Sequence, residues 1–113
     1  MADPVRGEIW RVDLNPTIGH EQSGTRPALV LSVDAFNQGP ADLVVMLPIT
    51  SQAKGIPFHV EIKPPEGGLT HRSFVKCEDI RSISRLRLKN RLGHVSTQTL
   101  GLIEDRLRIL LSL

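Results

Sequence analysis

The amino-acid sequence predicts a mainly β protein of the α+β class, a small antiparallel β-barrel or curved sheet capped by one long C-terminal helix. Five to seven short runs have the length and apolar pattern of strands, and glycine, proline and polar residues separate them. The last segment instead repeats its apolar residues with the period of a helix. A length of 113 residues predicts a single domain over residues 1–113.

Each predicted strand is read from its apolar pattern. The segments expected to form strands are residues 8–14, 28–33, 42–47, 58–63 and 73–78. The first alternates apolar and polar residues, which should place Trp10 in the core, whereas the second is almost unbroken and typical of a sheet centre. Pro48 is expected to end the third strand, because proline cannot donate to a ladder. The alternation of the fourth strand should point His59 towards solvent.

Two short segments and one helix complete the predicted order. Asp34 is expected to cap a helical turn over residues 34–37, and PPEGG at 64–68 reads as a flexible connection. RLRLKNRL at 85–92 fits either a basic strand or a helical turn, and the pattern does not decide between them. Ser96 should cap a helix over 97–113, whose apolar residues cover more of its circumference than a lone surface helix needs. That excess indicates a second surface covering the helix.

Composition and cysteine content exclude several classes of protein. Hydrophobic residues make up 40% of the chain and charged residues 23%, which is ordinary for a globular protein and argues against disorder. No apolar run approaches the ~20 residues that span a bilayer, and the first residues lack the pattern of a signal peptide. The single cysteine, Cys77, rules out an internal disulfide. We therefore expect a cytoplasmic protein without a membrane partner.

The most polar loop lies between the first two predicted strands. It carries His20, Glu21 and Gln22, and Arg26 follows them just before the buried run. Proton-handling groups and a permanent cation would thus be attached to the end of a rigid strand, where binding and catalytic groups are commonly placed. From composition alone, an ordinary polar surface turn is favoured over a functional site.

A second polar stretch follows the third predicted strand. Thr50, Ser51 and Gln52 precede Lys54, and short hydrogen-bonding side chains at a strand end can hold a phosphate or simply form an exit turn. The net charge of +2 is unevenly spread, since residues 61–113 carry ten bases and six acids. Five of these bases lie in one acid-free run: Arg81, Arg85, Arg87, Lys89 and Arg91. Such a run binds phosphates or forms a solvated face with about equal probability.

The sequence contains no signature of a metal or cofactor site. Its four histidines lack ligand spacing, and Cys77 has no partner cysteine. A P-loop, a dinucleotide fingerprint and a serine-nucleophile motif are also absent. We therefore expect no metal and no cofactor, so any chemistry must use acids, bases and hydrogen bonds. RNA cleavage by the adjacent 2′-hydroxyl suits that restriction, because it needs proton transfers and charge stabilisation on the phosphate.

The stretch GHEQSGTRPALVLS resembles the MazF/PemK/Kid family of toxin endoribonucleases, and RGEIW, DLNP, AFNQ, PITSQAKGIPF and VKCEDIRSI continue the likeness in the right order. The resemblance implies a small SH3-like, CcdB-like antiparallel barrel with a long C-terminal helix, assembled as a homodimer. It implies an mRNA interferase that cuts single-stranded RNA at short sequences without a metal, leaving a 5′-hydroxyl and a 2′,3′-cyclic or 3′-phosphate. It also implies a cognate antitoxin with an acidic, largely disordered segment.

The resemblance assigns roles within the two polar stretches. Arg26 and Thr50 match the essential arginine and threonine of the family, and a guanidinium fork suits two phosphate oxygens. Glu21, Glu78 and His20 are the candidates for proton transfer, and the sequence does not choose among them. The residues expected to bind RNA are Gln22, Ser51, Gln52, Lys54, Lys76, Arg81, Arg85 and Arg87. The alternative function is that of a non-enzymatic toxin of the same fold that binds and inhibits DNA gyrase.

Overall fold

The computed structural model of the protein describes residues 3–14 and 24–113. In these ranges the strands are β1 (Glu8–Asp13), β2 (Thr25–Val30), β3 (Leu43–Thr50), β4 (His59–Ile62), β5 (Ser73–Lys76), β6 (Arg81–Ser84) and β7 (Leu88–His94). The helices are α1 (Asp34–Asn37) and α2 (Thr97–Leu111), and 3-10 turns cover Glu66–Gly68 and Arg85–Arg87. The mainly β architecture with a long C-terminal helix confirms the predicted fold class.

The strands form one antiparallel sheet around β3. Along the sheet the order is β4-β5-β3-β2-β1-β7, and β6 also pairs with β3. One edge of β3 pairs with β2 over residues 46–48, while the other edge pairs with β6 over 43–46 and with β5 over 49–50. In the described ranges the path ends at β4 and β7. The sheet is therefore an open version of the expected barrel.

Pro48 lies inside β3, so the prediction that it ends the strand is wrong. It pairs with Ala28 on β2. On the other edge of β3, the β6 ladder finishes at Met46 and the β5 ladder begins at Ile49. A proline is tolerated here because it falls between two ladders, where its missing N–H removes no ladder hydrogen bond from that edge.

Both faces of the central strands are buried, so neighbouring residues along a strand belong to different apolar clusters. The cluster between one face and α2 holds Ile9, Leu29, Leu47, Ile49, Val60, Ile62, Leu69, Val75, Cys77, Val95 and the helix residues Ile103 and Leu107. The opposite face holds Trp10, Val12, Leu14, Ala28, Val30, Val44, Met46, Ile83 and Leu88. The predicted core position of Trp10 is confirmed. Each large side chain buried in this way contributes roughly 1.5–3 kcal/mol, which keeps the ends of β2 and β3 in place.

The C-terminal helix begins at its predicted cap and packs one face on the sheet. The Thr99 N–H donates to Ser96 Oγ over 3.1 Å. Ile103 and Leu107 enter the core. The helix ends at Leu111, two residues earlier than predicted, where Ser112 takes a left-handed conformation with φ 58. Leu102 and Ile109 on its other face are exposed, and so are Leu111 in the last turn and Leu113 beyond it.

Two local predictions need correction, and an open one is resolved. Asp34 is the first residue of α1 and not its cap, because its Oδ1 accepts the Arg6 N–H over 3.1 Å and Val33 occupies the cap position. The 85–92 segment uses both alternatives, a 3-10 turn followed by strand β7. No helix in the described ranges is long and apolar enough to cross a membrane.

The connection before β5 is packed against β7, so its predicted flexibility is wrong. A Cβ on Gly68, which has φ +72, would overlap the Leu92 carbonyl oxygen, and a Cβ on Gly93 would overlap the backbone of Gly67. The Ser96 N–H also donates to Glu66 Oε2 over 2.9 Å. This close backbone approach fixes the segment that leads from Gly68 into β5.

Candidate functional site

An open groove of about 450 Å³ lies at the end of the sheet where β2 begins and β3 ends. Its walls come from β1, the ends of β2 and β3, the chain after β3, and the segment between Gly68 and Ser73. Five of the predicted site residues line it, namely Arg26, Thr50, Ser51, Gln52 and Lys54. Arg26, the described end of the first polar stretch, therefore meets the second polar stretch at one place.

Strand register brings Arg26 and Thr50 together. The β2–β3 ladder ends at the pair of Ala28 and Pro48, so Arg26 and Thr50 each lie two residues beyond it at the same end of the sheet, and both line the groove. Thr50 Oγ1 accepts the Gln52 N–H over 3.2 Å, a local turn that directs the chain out of the strand. A guanidinium and a hydroxyl thus project from neighbouring strand ends into the groove.

The groove is rich in cations and in neutral donors. Arg11, Arg26 and Lys54 line it, and none of the described lining residues is a carboxylate. Hydroxyl groups come from Thr25, Thr50, Ser51, Thr70 and Ser73. Phosphate oxygens are the usual partners of such a mixture of cations and hydroxyls. The described residues contain no group of three or more His, Cys, Asp or Glu side chains positioned to hold a metal ion.

Lys76 and Arg81, both expected to bind RNA, are held by Asp79 outside the lining of this groove. Asp79 Oδ2 lies 3.5 Å from Lys76 Nζ and 2.9 Å from Arg81 Nη2, while Asp79 Oδ1 lies 3.1 Å from Arg81 Nε. Burial raises the pKa of Asp79, but the hydrogen bond and charge of Arg81 and the charge of Lys76 outweigh it and leave the pKa below its ordinary value. These cations thus have a carboxylate partner within the fold.

The remaining predicted cations lie in the 3-10 turn Arg85–Arg87, away from the groove lining. Arg85 forms an ion pair with Asp3. Their contact with RNA stays a prediction.

Glu78, a candidate for proton transfer, lies outside the groove lining and is bonded to His59. His59 Nε2 and Glu78 Oε2 are 2.8 Å apart. The His59 side chain is only 3% exposed, so the prediction that it points to solvent is wrong. Lys76 lies opposite it in the β4–β5 ladder and Glu78 reaches its ring, so the hairpin itself buries the imidazole. Its Nδ1 has no hydrogen-bond partner among the described residues.

Cys77 is a small core residue, in line with the sequence analysis. It is fully buried in the cluster beneath α2. Burial, and next the charge of Glu78, raise the pKa of its thiol to about 12. The thiolate that redox chemistry requires is therefore scarce at neutral pH.

His20, Glu21 and Gln22 lie outside the described residues. The sequence analysis also missed several described groove residues, among them two with ionisable side chains, Arg11 in β1 and His71 before β5. The alternation of β1 placed Arg11 at the surface, but only its pairing with Pro27 shows that it neighbours Arg26. For His71 no local pattern gives the position, because the approach of Gly68 to β7 sets it.

Comparison with known proteins agrees with this architecture. Residues 5–111 match the family described as PemK-like, MazF-like toxin of type II toxin-antitoxin system. Endoribonuclease EndoA of Bacillus subtilis (strain 168) is 33% identical over 109 residues, which covers 96% of this chain and 94% of the relative. Endoribonuclease MazF9 of Mycobacterium tuberculosis is 38% identical over 113 residues and 96% of each protein.

Two solved structures share the fold over the whole chain. MazF (Form-I) from Deinococcus radiodurans superposes with a TM-score of 0.87 and 34% identity, covering 100% of both chains. MazE-MazF (Form-II) from Deinococcus radiodurans superposes with a TM-score of 0.81 and 35% identity, covering 100% of this chain and 99% of the other. The predicted fold class and the resemblance seen in the sequence are both confirmed.

Proposed function

The chain belongs to the PemK-like, MazF-like family of type II toxins and is an RNA-cleaving toxin, and we propose that it cuts single-stranded RNA with the RNA's own 2′-hydroxyl as nucleophile. The relatives named endoribonucleases favour RNA cleavage over gyrase binding. The observation that carries the mechanism is the meeting of Arg26 and Thr50 in one cationic groove.

In this mechanism the groove holds the scissile phosphate. The 2′-oxygen attacks phosphorus, the bond to the 5′-oxygen breaks, and the products are a 2′,3′-cyclic phosphate and a 5′-hydroxyl. Arg26 binds two phosphate oxygens and Thr50 donates to the same group, so negative charge that grows in the transition state meets donors already in place. Ser51, Gln52 and Lys54 hold the adjoining RNA. Because these groups supply charge and hydrogen bonds, the reaction needs no divalent ion.

Two proton transfers complete the reaction. One group removes the proton of the 2′-hydroxyl and another protonates the departing 5′-oxygen. Glu78 is bonded to His59 outside the groove lining, and Arg26 is a poor proton donor because a guanidinium stays protonated. We therefore assign the transfers to His20 and Glu21, which precede Arg26 along the chain.

An antitoxin is the partner that the family implies. We propose that its acidic segment covers the cations of the groove and so excludes RNA. We also propose a homodimer, supported by the exposed apolar face of α2, where Leu102 is 46% and Ile109 is 66% exposed. Size-exclusion chromatography with light scattering should give twice the monomer mass, and a monomer at micromolar concentration would contradict this assembly.

Cleavage of RNA in excess EDTA tests the proposed function. Purified protein freed of antitoxin should cut an unstructured RNA at defined positions and leave 5′-hydroxyl ends. A matched RNA with a 2′-deoxyribose immediately before the mapped cut should stay intact. A requirement for divalent ions, cutting of the deoxy-substituted RNA, or intact RNA together with inhibited gyrase would each refute the proposal.

A further inference from the structure

The groove contains cations that no carboxylate of the described residues neutralises. Most other basic side chains form ion pairs with a carboxylate: Arg6, Arg72, Lys76, Arg81, Arg85, Arg91 and Arg108. Arg11 and Lys54 both line the groove and form no such pair within the described part of the chain. Cations gathered within one concave surface give a positive potential that attracts an anion.

His71 adds a third group to the same surface. Its Nδ1 lies 3.0 Å from Thr70 Oγ1, and its carbonyl oxygen accepts the Ser73 hydroxyl over 2.9 Å. These two bonds fix the chain just before β5. The Nε2 edge makes no hydrogen bond within the described residues and can donate to an anion when it carries a proton.

Arg11 is adjacent to Arg26 but projects from the other face of the sheet. Arg11 pairs with Pro27 and Val12 pairs with Arg26, so the two arginines sit one residue and one strand apart. Strand spacing and rise put their Cα atoms about 6 Å apart. Partners in a ladder point to the same side, so Arg26 shares the face of Val12 while Arg11 shares that of Pro27. Both arginines line the groove because it wraps the end of the sheet.

We propose that Arg11, Lys54 and His71 form a second phosphate subsite, which binds a phosphodiester next to the one that is cut in the same RNA strand. A strand that crosses the end of the sheet meets Arg26 and Thr50 on one side and Arg11 on the other. The subsite touches no reacting atom, and it holds the strand in register at the scissile phosphate. This inference rests on the proposed function and extends it to the flanking nucleotide.

Binding of an uncleavable RNA tests the subsite. The probe is the RNA with a 2′-deoxyribose before its mapped cut, titrated with wild-type protein and with Arg11→Gln, Lys54→Gln and His71→Ala at several salt concentrations. Each of the three substitutions should raise the Kd for this RNA about threefold to tenfold. Arg11→Gln or Lys54→Gln should also lower the slope of log affinity against log salt by about 0.7. The double variant Arg11→Gln/Lys54→Gln should lower this slope by about 1.4. Lys63→Gln, a change of an exposed lysine outside the groove lining, is the matched control and should alter neither quantity.

Neutral phosphates then locate the contact. A methylphosphonate replaces one phosphate at a time beside the cut, and at the correct position Arg11→Gln should cause no further loss of affinity. An Arg11→Gln effect that persists at both neighbouring phosphates, or a salt slope equal to that of wild type, overturns the subsite. Greater loss of affinity for an oligoglutamate peptide than for RNA also overturns it, since the surface would then be a carboxylate site. A wild-type protein that leaves RNA intact refutes the proposed function instead.

Discussion

Replacing Asp79 by asparagine should lower the free energy of unfolding by about 3 kcal/mol at neutral pH. The asparagine would remove the negative charge that Asp79 places beside Lys76 and Arg81, whose side chains are 10% and 13% exposed. Removing one partner of a buried ion pair costs about 3–5 kcal/mol. The lower end applies here because the carboxylate is 21% exposed and water reaches it. For 113 residues this corresponds to a fall in Tm of about 12 °C.

The loss of stability in Asp79→Asn should depend on pH, and the direction of the Asp79 pKa shift determines whether it grows or shrinks in acid. Folding lowers the pKa of Asp79 from its ordinary value of 3.8. The stabilisation by its charge is therefore complete above the unfolded value and is lost as the pH falls below 3.8 through the folded value. The difference between wild type and Asp79→Asn should accordingly shrink in acid.

Urea denaturation at fixed protein concentration, repeated at several pH values, measures both the loss of stability in Asp79→Asn and its dependence on pH. Asp105→Asn is the matched control, because Asp105 pairs with Arg108 over 3.2 Å while both side chains are more than half exposed. The control should change stability by less than about 1 kcal/mol. Equal effects of the two substitutions, or a difference that grows in acid, would refute the reasoning.

Three further outcomes follow from local structure. Ser96→Ala should destabilise the protein by about 1 kcal/mol, since it removes the acceptor of the Thr99 N–H at the start of α2, and urea denaturation that shows no loss would contradict the cap. Gly68→Ala should lower the free energy of unfolding by about 3 kcal/mol, because its Cβ would overlap the Leu92 carbonyl oxygen. The control Gly101→Ala, whose Cβ would meet nothing within 4 Å, should be neutral or stabilising by up to about 1 kcal/mol. Equal effects of the two substitutions in thermal melts would argue against the close approach of Gly68 to Leu92. Cys77 should react with a thiol reagent only after unfolding, as its burial and its pKa of about 12 require, and rapid labelling of native protein would disprove that burial.

The fold could be predicted from the sequence to the extent that local patterns reflect burial. Alternation placed Trp10 in the core, and the cap at Ser96 marked the start of α2. Pro48 was misjudged because β3 can accommodate a proline only where its pairing changes from β6 to β5, and the sequence does not show that point. His59 was misjudged because a residue on the outer face of a hairpin can be covered by Glu78 from the following turn. Both errors arise from contacts between strands, which local spacing does not contain.

The same limit applies to the candidate site. The resemblance selected Arg26 and Thr50, and the register between Ala28 and Pro48 accounts for their meeting. No pattern in the sequence shows that Asp79 holds Lys76 and Arg81, or that Arg11 neighbours Arg26 across β1 and β2. Charge content could be counted from the sequence, but which cations of the described ranges pair with a carboxylate depended on the folded arrangement.

The central claim is that Arg26 and Thr50 stabilise the charge of a phosphate during its cleavage. Its most direct test is the single-turnover rate of RNA cleavage, measured at saturating protein for wild type, Arg26→Ala and the exposed control Arg108→Ala. Arg26→Ala should lower the rate by at least about 10²–10³, the effect of removing one preorganised donor, while weakening RNA binding by less than about tenfold. Arg108→Ala should cleave at the wild-type rate. An Arg26→Ala protein that cleaves RNA within tenfold of wild type would contradict the account.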